Sequence, residues 1–457
     1  MIRRSVIAWA FVVVVPSICF AQASARLHAT PGVRAAEPQS AAAATTVPTA
    51  PEASELTLQD AEKMAIANHP RVQASSYLAA VAKAQVTEAK SDYYPHAFGN
   101  ATGAMAENDS RVAAGALNNP IIYDRFADGV TVNQLVTDFG RTHQLVKSAK
   151  LHAQAQDENV VTSRADVLIG ADTAYYNALK AQAVLAVAEQ TVKTRQLVSD
   201  QVTALEQNKL RSGLDVTFAN VNLAQAKLLL VQAQNDLQAS FAELSDALGL
   251  QDQRLFHLVE QPTPAAPPAD VTPLLVEALK DRPEIVSQHL DLSAAQSYAT
   301  AERDLWLPTI SATGVAGLTP FHEDTLAPRY AAGGFNVNIP IFNGRQFNAL
   351  HAEAKAQAGA KEQNLRDLEN GIARDVRKAW LNAQSGYQRL GLTQQLLDQA
   401  NQALDLAQQR YKLGLSSIIE LSQAQLNQTQ AEIAQASAKY DYEAELSTLN
   451  FQIGAMQ

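Results

Sequence analysis

A single cysteine, Cys19, is the only thiol in this 457-residue sequence, and it lies within the first twenty residues. A disulfide framework is therefore excluded for a chain cleaved beyond that point. After those twenty residues no apolar run approaches the roughly eighteen positions that a bilayer-spanning helix needs, so a membrane crossing would have to be made by strands. Basic charge is in deficit: 36 Lys and Arg against 46 Asp and Glu give a net charge of -10. No basic stripe offsets that balance, which excludes nucleic acid as a partner. The histidines are scattered, with no HExxH pair and no cysteine at ligand spacing, and His143 and His152 share a helix but miss the i, i+4 spacing for chelation. A Gly-rich phosphate loop ending in Lys-Ser or Lys-Thr is missing, as is a serine nucleophile elbow. The expectation is a protein that is not an enzyme, holds no cofactor or metal, and takes any energy from a partner.

What is present begins with an export pattern: Arg3 and Arg4, an apolar stretch from Val6 to Phe20, then Ala21, Ala23 and Ala25. This reads as a secretory signal peptide over 1–21. The alternative is that Cys19 is the lipid-acceptor cysteine of a lipoprotein; Ile18 argues against it, because that processing wants a small residue there. Residues 22–53 are rich in Ala, Pro, Thr and Ser and too poor in large apolar side chains to offset the entropy of ordering, so they read as a flexible leader.

The remainder repeats itself. Thr57 is placed to cap a helix running to Asn68, ahead of Pro70. Asn68-His69-Pro70 resembles Asp281-Arg282-Pro283, and Tyr94-Pro95 resembles Leu307-Pro308, each 213 residues further on. Asp138-Phe139-Gly140-Arg141 matches Phe342-Asn343-Gly344-Arg345 at an offset of 204, and Arg211-Ser212-Gly213-Leu214 matches Lys412-Leu413-Gly414-Leu415 at 201. The expected division is a first repeat over 54–260, a Pro-rich linker over 261–273 and a second repeat over 274–457. Each half should run short helix, medium helix, two strands, very long helix, glycine-containing turn and long helix.

The very long helices are expected from Arg141 to Leu210 and from Arg345 to Tyr411, roughly 100 Å each at about 1.5 Å per residue. Val376, Ala383, Leu390, Leu397, Leu404 and Tyr411 recur every seventh residue, with Ala379, Gly386, Thr393, Ala400 and Ala407 on a small-residue track. Leu223, Leu230, Leu237 and Leu244, and likewise Ile419, Leu426, Ile433 and Tyr440, repeat the spacing on the returning helices. These are heptad seams. Strand patterns differ: Phe335, Val337, Ile339 and Ile341 alternate with Asn336 and Asn338, and Val130, Val132 and Val136 alternate with Thr131 and Asn133. Segments 97–105 and 309–318 have the length of transmembrane strands. Tyr93, Tyr94, Trp306, Phe321, Tyr330 and Phe342 cluster at strand ends, as an interfacial girdle would. A soluble sheet packed on helices would show the same alternation. Four strands cannot close a barrel, and open edges are not tolerated in lipid, so a membrane reading requires several chains to share one barrel.

The duplicated plan, the Asn68-His69-Pro70 and Tyr94-Pro95 landmarks, Pro340-Ile341-Phe342-Asn343-Gly344-Arg345 and the turn from Arg410 to Ser417 together resemble the TolC-like outer-membrane efflux proteins (outer membrane factors). The resemblance implies a mainly α fold with transmembrane β structure: duplicated long-helix hairpins forming a trimeric α-barrel tunnel, continuous with a shared twelve-stranded outer-membrane β-barrel. It implies a homotrimer in the outer membrane of a Gram-negative-type bacterium, extending into the periplasm and surrounded by lipid. It further implies passive conduction from a periplasmic adaptor (membrane fusion) protein and an inner-membrane pump of RND or ABC type, in a tripartite efflux or type I secretion system. By position, Gly213, Leu214, Gly414, Leu415 and Ser416 would be adaptor contacts. Glu420 would sit at a periplasmic gate, with Gln423 where a second acidic ring would otherwise lie. Two other readings compete: a periplasmic adaptor, which would carry one hairpin flanked by β-rich domains, and a soluble coiled-coil scaffold.

Overall fold

The computed structural model describes residues 54–107, 122–252, 254–262, 264–322, 324 and 326–456. The expected signal peptide, Cys19 and the 22–53 leader lie outside the described residues. The first half runs β1 (Ser54–Leu56), α1 (Leu58–Asn68), α2 (Pro70–Ser91), β2 (His96–Ala104), β3 (Arg125–Thr137), α3 (Arg141–Gln207), α4 (Gly213–Ala247) and β4 (Phe256–Leu258). The second runs α5 (Thr272–Asp281), α6 (Pro283–Arg303), β5 (Thr309–His322), β6 (Arg329–Asn338), α7 (Gln346–Lys412) and α8 (Ile418–Ile453).

Local chemistry explains the breaks. Thr57 caps α1, its hydroxyl accepting the Asp60 N–H at 3.2 Å. Pro70 drives His69 into an extended conformation, ending α1, and then serves as the first residue of α2, where a missing N–H costs nothing. His69 Nδ1 accepts the Arg71 N–H at 3.2 Å, and Arg282-Pro283 repeats the joint without a side-chain cap. The strand expected to reach Ile341 stops at Asn338, two residues before Pro340, which cannot donate to a ladder.

The repeat is more regular than the expected offsets of 204 and 201. Both long helices have 67 residues, and α7 begins 205 positions after α3. The left-handed positions obey the same offset: Phe139 with Gly344, Gly140 with Arg345, Lys209 with Gly414, and Gly249 with Gly454. The offset therefore steps once, from 213 to 205, and the hairpins correspond residue for residue. Matching glycine to glycine misaligned the turns. Gly213 opens α4 behind the Ser212 cap instead of ending a helix, and Lys209 holds the left-handed position that Gly414 holds in the other half.

Gly249 and Gly454 close each half. Gly249 has φ +69°, and a Cβ there would lie 2.8 Å from the Asn68 carbonyl carbon, against the α1–α2 joint; Gly454, at φ +82°, packs on Arg282 at the equivalent α5–α6 joint. The parallel β1–β4 pair, three residues in each strand, carries no readable pattern and was not expected. It is held from outside by Tyr175, whose hydroxyl reaches the Leu56 and Val259 carbonyls at 2.9 and 2.7 Å.

Helix packing follows the small-residue track. Ala379, Gly386, Ala400 and Ala407 are buried along α7; of the expected seam Val376, Ala383 and Tyr411 are buried, whereas Leu390, Leu397 and Leu404 are only half-buried. On α8 the expected seam holds at Tyr440, which is buried, and is displaced towards the turn: Ile419 and Leu426 are exposed, and Ile418, Leu421 and Ala424 are buried instead. The reason is that α8 packs on α3 as well as α7, which widens and turns its buried stripe. Ile419, Leu426 and Ile433 line a groove with Phe218 and Val221 of α4. Gly249→Ala should destabilise the chain by roughly 2–4 kcal/mol, from left-handed strain plus overpacking. Gly213→Ala, facing open space on a helical backbone, should change it by less than about 0.5 kcal/mol. Denaturant unfolding of both variants measures the contrast.

Candidate functional site

Two regions carry the structure's functional chemistry: the sheet and the opposite ends of the long helices. The sheet is antiparallel throughout in the order β2-β3-β5-β6, so the halves join through β3 and β5. Its register gives one mainly apolar face, which also carries Gln134, and one mainly polar face, which also carries Phe98, Leu135 and Val315. Ala97, Val132 and Gly314 stand opposite one another, as do Gly99, Val130 and Ala316, and on the same face Ala312 faces Phe335 and Ile310 faces Val337. The other face carries Asn100, Thr131, Asn133, Thr313 and Asn336. Asn100 Nδ2 donates to Thr131 Oγ1 at 2.9 Å, and Thr313 Oγ1 to Asn133 Oδ1 at 2.9 Å. The apolar face is uncovered: Phe335 is 78% exposed and Val337 54%. Among the described residues β2 and β6 each have one unpaired edge.

The expected girdle residues divide. Tyr93, Tyr94, Trp306 and Phe342 sit where the strands meet the helices, all exposed, with Trp306 edge-on to Phe347 at 5.5 Å. Tyr330 belongs by register to the polar face, and its ring lies across Gly129 and Gly317, leaving no room for a Cβ at either. Its hydroxyl donates to the Asp128 carbonyl at 3.4 Å.

At the far end, the turns after α3 and α7 are brought together. Arg211 donates to the Tyr411 carbonyl at 2.7 Å and stacks its guanidinium 4.2 Å from the Tyr411 ring. Asn222 of α4 donates to Ser422 of α8 at 2.7 Å. Gly213 opens α4, Leu214 and Leu415 point their side chains into solvent, Gly414 takes φ +72° and Ser416 is half-buried. Glu420 lies in the first turn of α8, where its N–H meets the Ser417 cap, and its carboxylate pairs with Arg410 at 3.2 Å. Gln423 donates to Asn427 at 2.9 Å. The sequence marks Arg211 as a repeat landmark and Tyr411 as a seam residue, without indicating that the two meet, and it does not mark Asp215. The 205-residue offset would have found Asp215, because it is the counterpart of Glu420: each is the acidic residue three positions after a serine cap.

A third polar centre is buried between α1, α3 and α8. Asp172 is 1% exposed and Glu443 2%. Burial first, and then the charge and hydrogen bond of neighbouring Glu62, push the Asp172 carboxyl up to about 7, against a partial offset from Ser447. Burial likewise pushes Glu443 up to about 7, with Lys439 opposing and Glu260 adding to the rise. Among the described residues no group of three His, Cys, Asp or Glu side chains is arranged to hold a metal ion, and no helix is long and apolar enough to cross a membrane.

Comparison with known proteins places these features in context. The family model described as outer membrane efflux protein matches residues 62–250 and 274–455. The chain is 25% identical over 324 residues to the outer membrane efflux protein BepC of Brucella suis, covering 68% of each chain. It is 24% identical over 408 residues to the outer membrane protein TolC of Escherichia coli, covering 84% of this chain and 81% of that one. In fold it resembles the crystal structure of a membrane protein from Pseudomonas aeruginosa, with a TM-score of 0.76, 22% identity and coverage of 87% and 93% of the two chains.

The buried acids set a pH dependence. Their folded-state affinity for protons exceeds that of ordinary carboxylates at 3.8 and 4.5, so the fold binds more protons than the unfolded chain between those values and about 7. Stability should therefore fall as pH rises through that window. Asp172→Asn, neutral at every pH, should raise the melting temperature by a few degrees at pH 8 and leave it unchanged or lower at pH 5. An equal shift at both pH values in thermal melts would exclude the carboxyl as the cause.

Proposed function

This chain belongs to the outer membrane efflux protein family, and from that premise we propose that it is the outer-membrane channel subunit of a tripartite efflux or type I secretion system. It conducts substrates passively from the periplasm to the exterior and catalyses no reaction. The observation that carries this reading is the two-faced sheet running directly into 67-residue helices. An apolar face suits hydrocarbon, a hydrogen-bonded polar face suits a water-filled lumen, and strands of 9 to 14 residues suffice to span the apolar core. The unpaired edges of β2 and β6 support a homotrimer, in which three sets of four strands make one twelve-stranded barrel and the α3/α4 and α7/α8 hairpins make its periplasmic tunnel. On this reading 54–260 and 274–457 are two equivalent efflux repeats joined by the 261–273 linker.

The hairpin turns are the surface for a periplasmic adaptor, which links the channel to an RND or ABC pump in the inner membrane. Gly213, Leu214, Gly414, Leu415 and Ser416 are its proposed contacts, supported by Leu214 and Leu415, 63% and 67% exposed at the tips. Tyr93, Tyr94, Trp306 and Phe342 form the interfacial girdle, while Tyr330 lines the lumen side. Glu420 is the proposed gate carboxylate and Gln423 a neutral neighbour; the Arg410 partner holds Glu420 to its own chain and offsets repulsion between three copies around an axis.

Fractionation of the exported protein should recover it with outer membranes, and recovery in the soluble periplasm would overturn the channel reading. In planar bilayers the purified protein should give discrete conductance steps. Glu420→Gln should weaken divalent-cation block by on the order of tenfold, the equivalent of ~1.4 kcal/mol. An unchanged block removes Glu420 from the gate.

A further inference from the structure

The end of α2 and the start of α3 run antiparallel directly beneath β2 and β3, and between them lies a cavity of about 350 Å³. Lys90, Tyr93 and Tyr94 line it on one side, and His143, Lys147 and Lys150 on the other, over buried Val146. None of its lining residues is acidic. Further from the sheet, the same two helices set Lys83 against Asp157, and the pair closes at 2.8 Å. Seven residues on from Lys83 is Lys90, and seven back from Asp157 is Lys150. Where the groove nears the sheet, the acid of that pair is thus replaced by a second lysine. Among the described residues Lys90, Lys147 and Lys150 make no ion pair. Three exposed ammonium groups around one cavity, with no acid in its lining, favour an anion between them.

The cavity's position says which anion. Gln134 Nε2 of β3 donates to the Tyr93 carbonyl at 3.1 Å, and Gln134 stands opposite Ala312, which stands opposite Phe335. The tyrosines are therefore tied to the side of the sheet that carries the apolar face, at the level where strands give way to helices. Tyrosine rings favour that depth in a bilayer, and basic pockets there bind anionic headgroups. We infer that this cavity binds the phosphate of an anionic glycerophospholipid, with Lys90, Lys147 and Lys150 on the phosphate oxygens and the rings of Tyr93 and Tyr94 against the glycerol and first acyl carbons. The site rests on the proposed membrane-spanning sheet. Free phosphate offers the same charge but has no use for the tyrosines.

The test is native mass spectrometry of the full chain extracted in non-ionic detergent and supplied with phosphatidylglycerol or phosphatidylcholine. The unaltered protein should retain phosphatidylglycerol in preference. The double variant Lys147→Gln, Lys150→Gln should retain on the order of tenfold less, and Lys83→Gln, which breaks the neighbouring ion pair, should retain as much as the parent. Equal retention of both lipids, or full retention by the double variant, overturns the site. Complete displacement by excess inorganic phosphate reassigns it to free phosphate and overturns the lipid assignment. Fractionation of the same preparations separates the two levels: outer-membrane protein that retains no phosphatidylglycerol sinks the lipid site alone, whereas soluble periplasmic protein sinks the channel reading as well.

Discussion

A backbone N–H or C=O without a partner costs several kcal/mol in hydrocarbon, as an order of magnitude, and that cost governs how this chain is built. Its sheet has three ladders, β2–β3, β3–β5 and β5–β6, and among the described residues two open edges, on β2 and β6. The β3–β5 ladder is made between the two halves, so duplication supplies the pairing that each half lacks. The edges remain, and in the proposed trimer each β6 meets the β2 of a neighbouring chain. The long helices inherit their positions from this arrangement: β3 leads into α3 through the left-handed pair Phe139 and Gly140, and β6 leads toward α7 through Gly344 and Arg345.

Side-chain size then sets how closely the helices approach. Alanines and one glycine make up much of the buried track of α7, beside Leu365, Ile372, Val376 and Tyr411, and glutamines recur on its exposed surface. A seam of large leucines would hold the axes further apart and bury more apolar area, favouring a closed coiled coil over a curved wall. The small track gives close contact with two neighbours at once, which α8 uses in packing on both α3 and α7. The same economy of volume appears at Gly249 and Gly454, where the absence of a side chain lets the end of each hairpin rest on the joint between the first two helices of its own half.

Much of this was legible in the sequence, and the reason is periodicity. Heptad spacing located helices of 67 residues to within three positions at each end; alternation located β3 and β6 with their two faces, and segment length located β2 and β5. The Pro70 and Pro283 joints were readable because proline constrains the residue before it. The illegible features have no period. The β1–β4 pair is three residues deep and depends on a hydroxyl from distant Tyr175. The α8 stripe depends on which helices surround it, information that spacing along one helix does not contain. Tyr330 looks like a girdle residue by type, and only the register, pairing it with Gly317, assigns it to the polar face. The turn offset was obscured because left-handed backbone is marked by glycine in one half and by Lys209 in the other.

That last asymmetry bears on the tips. The two turns share a geometry and a serine cap followed by an acid, Asp215 in one and Glu420 in the other, but their surroundings have diverged. Asp215 is spent on its own helix, its carboxylate accepting the Ser212 N–H at 3.3 Å in a capping box. Glu420 leaves its cap to pair with Arg410 on the preceding helix. A carboxylate closing a capping box is held by backbone, whereas one held by an arginine on the neighbouring helix moves when the two helices move apart. Of two positions made equivalent by duplication, only the second couples its charge to the spacing of α7 and α8. In the proposed trimer the two kinds of turn alternate around the axis, so a partner docking there meets three fixed acids and three whose charge is released only when its hairpin opens.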